Sequence, residues 1–79
     1  MLYIYILENP VGRLYIGQTD DPVERVARHN RGGEKFTTNK GPWKLIFTKE
    51  FLTREEAIKY EKYLKSLKSS KYIRERIIK

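Results

Sequence analysis

The stretch LYIYILENPVGRLYIG, residues 2–17, constrains this chain more than any other. Leu2, Ile4 and Ile6 alternate with Tyr3, Tyr5 and Leu7, the two-residue period of a strand with distinct faces. Glu8-Asn9-Pro10-Val11-Gly12 supplies a turn, because proline fixes one φ angle and Gly12 can take a positive one. From Arg13 to Gly17 the alternation resumes, with Leu14 and Ile16 on one face and Arg13 and Tyr15 on the other. Closing this hairpin brings Tyr5 and Tyr15 to the same face. The plain account of both is as half-buried sheet aromatics, which strands favour in any case.

At 79 residues the chain has room for one domain, expected over residues 1–79, near the lower end of what folds unaided. It has no cysteine, so neither a disulfide nor a thiolate zinc site can staple it, and a hydrophobic core must do the work. The longest uncharged apolar run, Met1 to Leu7, is far too short to span a bilayer and lacks signal-peptide features. The expectation is a soluble cytoplasmic protein without a membrane partner. Seventeen Lys and Arg against ten acids give a net charge of +7, which favours polyanions, nucleic acid above all.

Asp21 is a suitable N-cap for a first helix, with Pro22 at N1 and Glu24 completing a capping box. That helix is expected to run to Asn30 or Arg31, where Gly32-Gly33 stops it, with Val23, Val26 and Ala27 as its apolar stripe. A mixed loop over residues 33–42 leads to a third strand, Trp43 to Phe51. Thr53-Arg54-Glu55-Glu56 is a full capping box for a second helix, with Leu52 and Ala57 placed as a hydrophobic staple. Ala57, Tyr60, Leu64 and Leu67 form its core stripe. Ser69-Ser70 allows a break, and Lys71 to Ile78 reads as a short last helix anchored by Tyr72, Ile73, Ile77 and Ile78. The order β-β-α-β-α-α predicts an α+β fold, a small three-stranded antiparallel sheet flanked by helices.

Glycine-rich phosphate loops, a Cys nucleophile and a His-rich metal site are all excluded by residue type. Three elements remain. The Tyr5/Tyr15 pair offers phenols, poor bases unless nearby positive charge favours the phenolate. Arg25 and His29, four apart, share a helix face. A guanidinium can hold two phosphate oxygens and an imidazole can relay a proton. The plainer alternative is a solvated face with a histidine near the helix C-terminus. Glu61 falls within the arc of Tyr60 and Leu64, where a carboxylate needs either a structural partner such as Lys65 or a cation. One carboxylate completed by water and substrate phosphate is a pattern that Mg²⁺ tolerates.

Together these residues resemble the GIY-YIG nucleases. Tyr3-Ile4-Tyr5 stands where GIY would, and Tyr15-Ile16-Gly17 is a full match to YIG. Arg25 and His29 fall where that family carries an arginine and a histidine or tyrosine, and Glu61 where it carries a metal-binding glutamate. The resemblance covers essentially the whole chain. The start MLYIYIL, the pair His29-Asn30 and the run REEAIKYEKYLK look most like the small bacterial members, which are described by likeness to the nuclease domain of the excision-repair C subunit. Two positions depart from the pattern: Tyr3 replaces the glycine of GIY, and Gln18 follows YIG where some relatives carry a cation near the phosphate.

The resemblance implies phosphodiester hydrolysis with one Mg²⁺ or Mn²⁺ ion held by Glu61. It implies Tyr5 as the leading base for the attacking water, with Tyr15 shaping the site or sharing the task. Arg25 would stabilise the transition state, and His29 would orient Tyr5 or assist proton transfer. Arg13, Arg28, Arg31, Lys35 and Lys40, with Gln18, are the expected nucleic-acid contacts. The function so implied is a DNA endonuclease, directed by structure rather than by sequence and linked to repair or recombination. RNA is a second substrate candidate, and a protein partner is expected to supply specificity, since no recognition helix or zinc finger is present. The alternative is a nucleic-acid-binding module that keeps the fold without catalysis, using exposed aromatics such as Phe36 or Tyr72 for stacking.

Overall fold

β1 (Leu2–Glu8) runs down the centre of a three-stranded antiparallel sheet, between β2 (Leu14–Thr19) and β3 (Lys44–Phe51). The computed structural model describes residues 1–32, 40–67 and 69–78. α1 (Pro22–Asn30) links β2 to the 33–42 segment. α2 (Arg54–Leu67), α3 (Ser70–Ile73) and a π-helical turn (Arg74–Ile78) follow β3. The architecture is the α+β arrangement expected from the pattern. No helix among the described residues is long and apolar enough to cross a membrane.

The hairpin closes tightly. Asn9 N–H donates to the Arg13 carbonyl at 3.0 Å, Gly12 N–H to the Asn9 carbonyl at 3.0 Å, and the Asn9 side chain accepts from Arg13 N–H at 2.8 Å. Gly12 has φ +84°, the left-handed conformation that ends a three-residue hairpin loop. With Asn9 opposite Arg13, the register down the hairpin follows: Leu7 faces Tyr15, Ile6 faces Ile16, Tyr5 faces Gly17 and Ile4 faces Gln18. β2 continues past the YIG residues to Thr19.

Ile4, Tyr5, Ile6 and Leu7 are all buried, because helices cover both faces of β1. On one face Ile4 and Ile6 join Ala57, Leu64 and Ile73 of α2 and α3. On the other Tyr5 and Leu7 join Trp43, with Tyr15, Val26 and Leu45 packed against them. A bulge in the β1–β3 pairing places Phe47 opposite Ile6 and Leu45 opposite Leu7, so Ile46 is the extra residue. The bulge sends Leu45 to the α1 face and both Ile46 and Phe47 to the α2 face, which strict alternation would not do.

Several local expectations give way. Val23 and Ala27 are exposed, and α1 docks instead through Val26 and His29, with Pro22 and Arg25 half-buried on the same side. Leu52 is exposed, so no staple forms with Ala57. The β3–α2 connection is Leu52-Thr53 alone, and the helix start rests on the capping box. There the Thr53 hydroxyl accepts from Glu56 N–H at 3.2 Å and donates to the Glu56 carboxylate at 3.1 Å. The last segment is helical as expected, one α-turn capped by Ser69 that passes without a break into a π-helical turn. Tyr72 is exposed beside Arg76, leaving Ile73, Ile77 and Ile78 as the anchors. Arg74 ties this end to the hairpin, donating to the Glu8 carboxylate and, at 2.6 Å, to the Gly12 carbonyl.

Candidate active site

The α1 face of the sheet carries an aromatic cluster with a histidine at its centre. Tyr5 and Tyr15 are diagonal neighbours on β1 and β2, their ring centroids 6.2 Å apart. Two residues, Asp20 and Asp21, separate Thr19 from α1, and the join is fixed. The buried Thr19 hydroxyl accepts from Asp21 N–H at 3.1 Å, and the Asp21 carboxylate accepts from Glu24 N–H at 3.1 Å. Helical periodicity from that start turns Arg25 and His29 toward the sheet.

His29 is 2% exposed and Tyr5 1% exposed, and His29 Nε2 lies 3.0 Å from the Tyr5 hydroxyl. This hydrogen bond joins the phenol to the imidazole, and its direction is set by the histidine tautomer. Tyr15 packs edge-on against the imidazole at 4.8 Å between centroids, and against the Trp43 indole at 6.4 Å. Tyr15 is only half-buried, so it keeps the solvent contact that Tyr5 lacks. Arg25 is half-buried on the same face of α1, with its Nε enclosed.

Gly17 is required by Tyr5 rather than by its own backbone. A Cβ there would lie 2.5 Å from the Tyr5 hydroxyl and 2.7 Å from Cζ, so the phenol lies across the bare glycine. This contact was legible in principle, since placing Asn9 opposite Arg13 sets Tyr5 opposite Gly17. Trp43 and Asn30 are the other residues that sequence reasoning passed over as site components. Their link spans thirteen residues and has no local signal beyond the pair His29-Asn30.

The sequence model of the GIY-YIG catalytic domain matches residues 1–73. The chain belongs to the GIY-YIG family. It is similar to a UPF0213 protein of Halalkalibacterium halodurans, 40% identical over 70 residues that cover 87% of this chain and 74% of the relative. A UPF0213 protein of Streptococcus pneumoniae serotype 4 is 45% identical over 67 residues, 84% of this chain and 68% of the relative. The solution NMR structure of a Bacillus halodurans UPF0213 protein superposes with a TM-score of 0.59 at 38% identity, covering 94% of this chain and 81% of that one. The family is of nuclease type, and these small bacterial relatives carry the same domain.

Within this GIY-YIG domain the other expected site residues are spread out. Glu61 sits on α2, against the opposite face of the sheet from the phenols. Its ion pair among the described residues is with Lys65 at 2.7 Å. Its side chain is 18% exposed, so the carboxylate is reachable. Lys65 lines a groove of about 680 Å³ together with Leu14, Tyr15 and Ile16 of β2, which sets that flank of α2 along the sheet edge. Gln18 pairs with Ile4, hence faces α2 on the same side as Glu61, and its carboxamide oxygen is enclosed with no hydrogen-bond partner among the described residues. Arg13, Arg28, Arg31 and Lys40 are exposed, and Arg31 pairs with Glu24 at 3.6 Å. Lys35 and Phe36 lie outside the described residues.

Proposed function

We propose that this GIY-YIG protein is a divalent-metal-dependent endonuclease that hydrolyses DNA phosphodiester bonds, acting as one domain in the cytoplasm in repair or recombination. The observation that carries the reading is the Tyr5–His29 hydrogen bond, buried on a helix face that ordinary packing would fill with aliphatic side chains. Burying two polar rings has a cost that a purely structural helix face avoids, and a site that must hold phenols in one orientation accounts for it.

The donor set fits a metal of one kind. Among the described residues there is no cluster of three or more His, Cys, Asp or Glu, so an all-protein cage is excluded there. A single reachable carboxylate, Glu61, suits Mg²⁺ or Mn²⁺ completed by water and substrate phosphate. When bound, such an ion would withdraw charge from a non-bridging phosphate oxygen. β2 is an edge strand, so a phosphate lying along it is approachable by Tyr15 from one side and by the Leu64–Lys65 flank of α2, one turn beyond Glu61, from the other.

Of the two phenols, Tyr15 meets the attacking water. What supports this choice over Tyr5, which the family pattern ranks first, is that Tyr5 is buried and Tyr15 is not. In its phenolate form Tyr15 takes the water proton as the new phosphorus–oxygen bond forms, and the leaving sugar oxygen departs with a proton taken from solvent. Tyr5 holds His29, and His29 in turn fixes the Tyr15 ring through their edge-on contact. Arg25 offsets the charge that builds on the phosphate oxygens. Arg13, Arg28, Arg31 and Lys40 hold the flanking backbone. The Arg31–Glu24 pair is exposed on both sides and is readily exchanged for a phosphate contact.

The test is nicking of labelled duplex, single-stranded, flapped and branched DNA, and of RNA, with Mg²⁺ or Mn²⁺. Metal-dependent cleavage by wild type and none by Glu61→Gln, with binding retained, is the expected result. Salt-sensitive binding without cleavage by either protein would instead support a binding module.

A further inference from the structure

We infer that Asn30 is a positioning residue for this site, holding Trp43 against Tyr15 and thereby fixing the phenol that meets the attacking water. The catalytic part of this inference rests on the hydrolytic reading above. The structural part stands without it.

Asn30 is the last residue of α1 and follows His29 directly. Its side chain reaches the backbone of Trp43 twice: Trp43 N–H donates to Oδ1 at 2.7 Å, and Nδ2 donates to the Trp43 carbonyl at 3.1 Å. Trp43 precedes β3, and the β1–β3 register ends at Glu8 opposite Lys44. The carboxamide therefore continues the sheet by one residue, offering the acceptor and donor that a strand would. A carboxylate could accept from Trp43 N–H but would face the carbonyl oxygen with a second acceptor. Gly41 also packs close, since a Cβ there would lie 3.3 Å from Asn30 Oδ1 and 3.3 Å from Trp43 Cδ1.

The consequence falls on Tyr15. Among the described residues, its aromatic neighbours outside the hairpin are His29, borne by α1, and Trp43, tied to α1 by the next residue. One helix end thus sets both walls of the phenol. Trp43 is buried in the same cluster as Tyr5 and Leu7, so its indole cannot shift without disturbing the hairpin face. Asn30 itself reaches neither phenol in the contacts described, and its amide does not titrate. Its effect passes through Trp43.

Trp43 is the chain's single tryptophan, which gives a direct optical readout. The experiment compares the full chain as wild type, Asn30→Asp and Tyr15→Phe, each confirmed folded by circular dichroism. Trp43 emission is followed through alkaline titration, where a nearby tyrosinate quenches an indole by energy transfer. Tyr5 shares the cluster and quenches as well, so the Tyr15 share is the difference between wild type and Tyr15→Phe, and Asn30→Asp should reduce that share at least about twofold. In nicking assays Asn30→Asp should lose about 10- to 100-fold in kcat with KM within about twofold, the cost of a misplaced reacting group. If Asn30→Asp does not fold, Asn30→Ser is read in the same way.

Wild-type emission and wild-type kcat in a folded Asn30 variant would overturn the inference. So would a change in emission with kcat and its pH profile unmoved, which would leave Asn30 as a loop anchor only. If wild type cleaves nothing, the hydrolytic reading fails and the catalytic half of this inference fails with it. The titration then still decides whether Asn30 holds Trp43 on Tyr15.

Discussion

The two faces of the sheet are built from the same strand to different ends. Under α2 and α3, β1 contributes Ile4 and Ile6 to a cluster completed by Ala57, Leu64 and Ile73. Under α1 it contributes Tyr5 and Leu7 to a cluster of Trp43, Tyr15 and Val26, with a buried histidine hydrogen-bonded inside it. Alternation along one strand supplies both. One face stabilises by area removed from water. The other gives up some of that stabilisation to hold three polar rings in register. The proposed site takes its rings from the α1 face and Glu61 from α2, whereas Ile4 and Ile6 serve packing alone, so stability and the proposed chemistry are separable residue by residue.

The largest stability loss belongs to the aliphatic face. Ile6→Ala should cost about 2–5 kcal/mol in denaturant unfolding, because fixed neighbours on both sides leave a cavity. Gly17→Ala strikes the other face by overpacking. Its methyl meets the Tyr5 phenol, so unfolding should cost about 1–3 kcal/mol. The residual folded protein should lose nicking activity beyond what its stability explains. Thr53→Ala removes the α2 cap, far from the phenols. About 0.5–2 kcal/mol of stability should go while the rate per folded molecule stays unchanged.

The smallest effect is a pH dependence on the α2 side. Burial, and then the neighbouring Tyr63, raise the Tyr60 phenol above its ordinary value near 10.0. The neutral form is favoured in the folded state, so the native protein binds more protons than the unfolded chain above that pH. Stability is full below about pH 10 and declines as pH rises through the raised folded value. Tyr60→Phe should flatten that alkaline decline in thermal melts, and an equal decline in the variant would assign it elsewhere.

What the sequence disclosed divides along the same line. The hairpin, the Asp21 and Thr53 caps and the α2 stripe were legible because each is set by residues within a few positions. α1 misled because polar side chains take its buried side. An apolar-stripe reading selects Val23, Val26 and Ala27, whereas the helix buries the side bearing Arg25, Val26 and His29. Glu61 could be placed on its helix and given Lys65 as partner, but not located relative to the phenols, since that depends on which sheet face α2 covers. The β3 bulge, the Asn30–Trp43 pair and the Arg74 tie to Glu8 and Gly12 join residues distant in sequence. No local pattern encodes them.

The most direct test of the separation is the nicking rate of Tyr15→Phe measured beside its unfolding free energy. The hydroxyl removed is the one assigned to the attacking water, and the half-buried ring that packs on His29 and Trp43 remains. Metal-dependent cleavage should fall about 10²-fold or more, with unfolding free energy within about 1 kcal/mol of wild type. A wild-type rate in that variant would remove the α1 face from the chemistry.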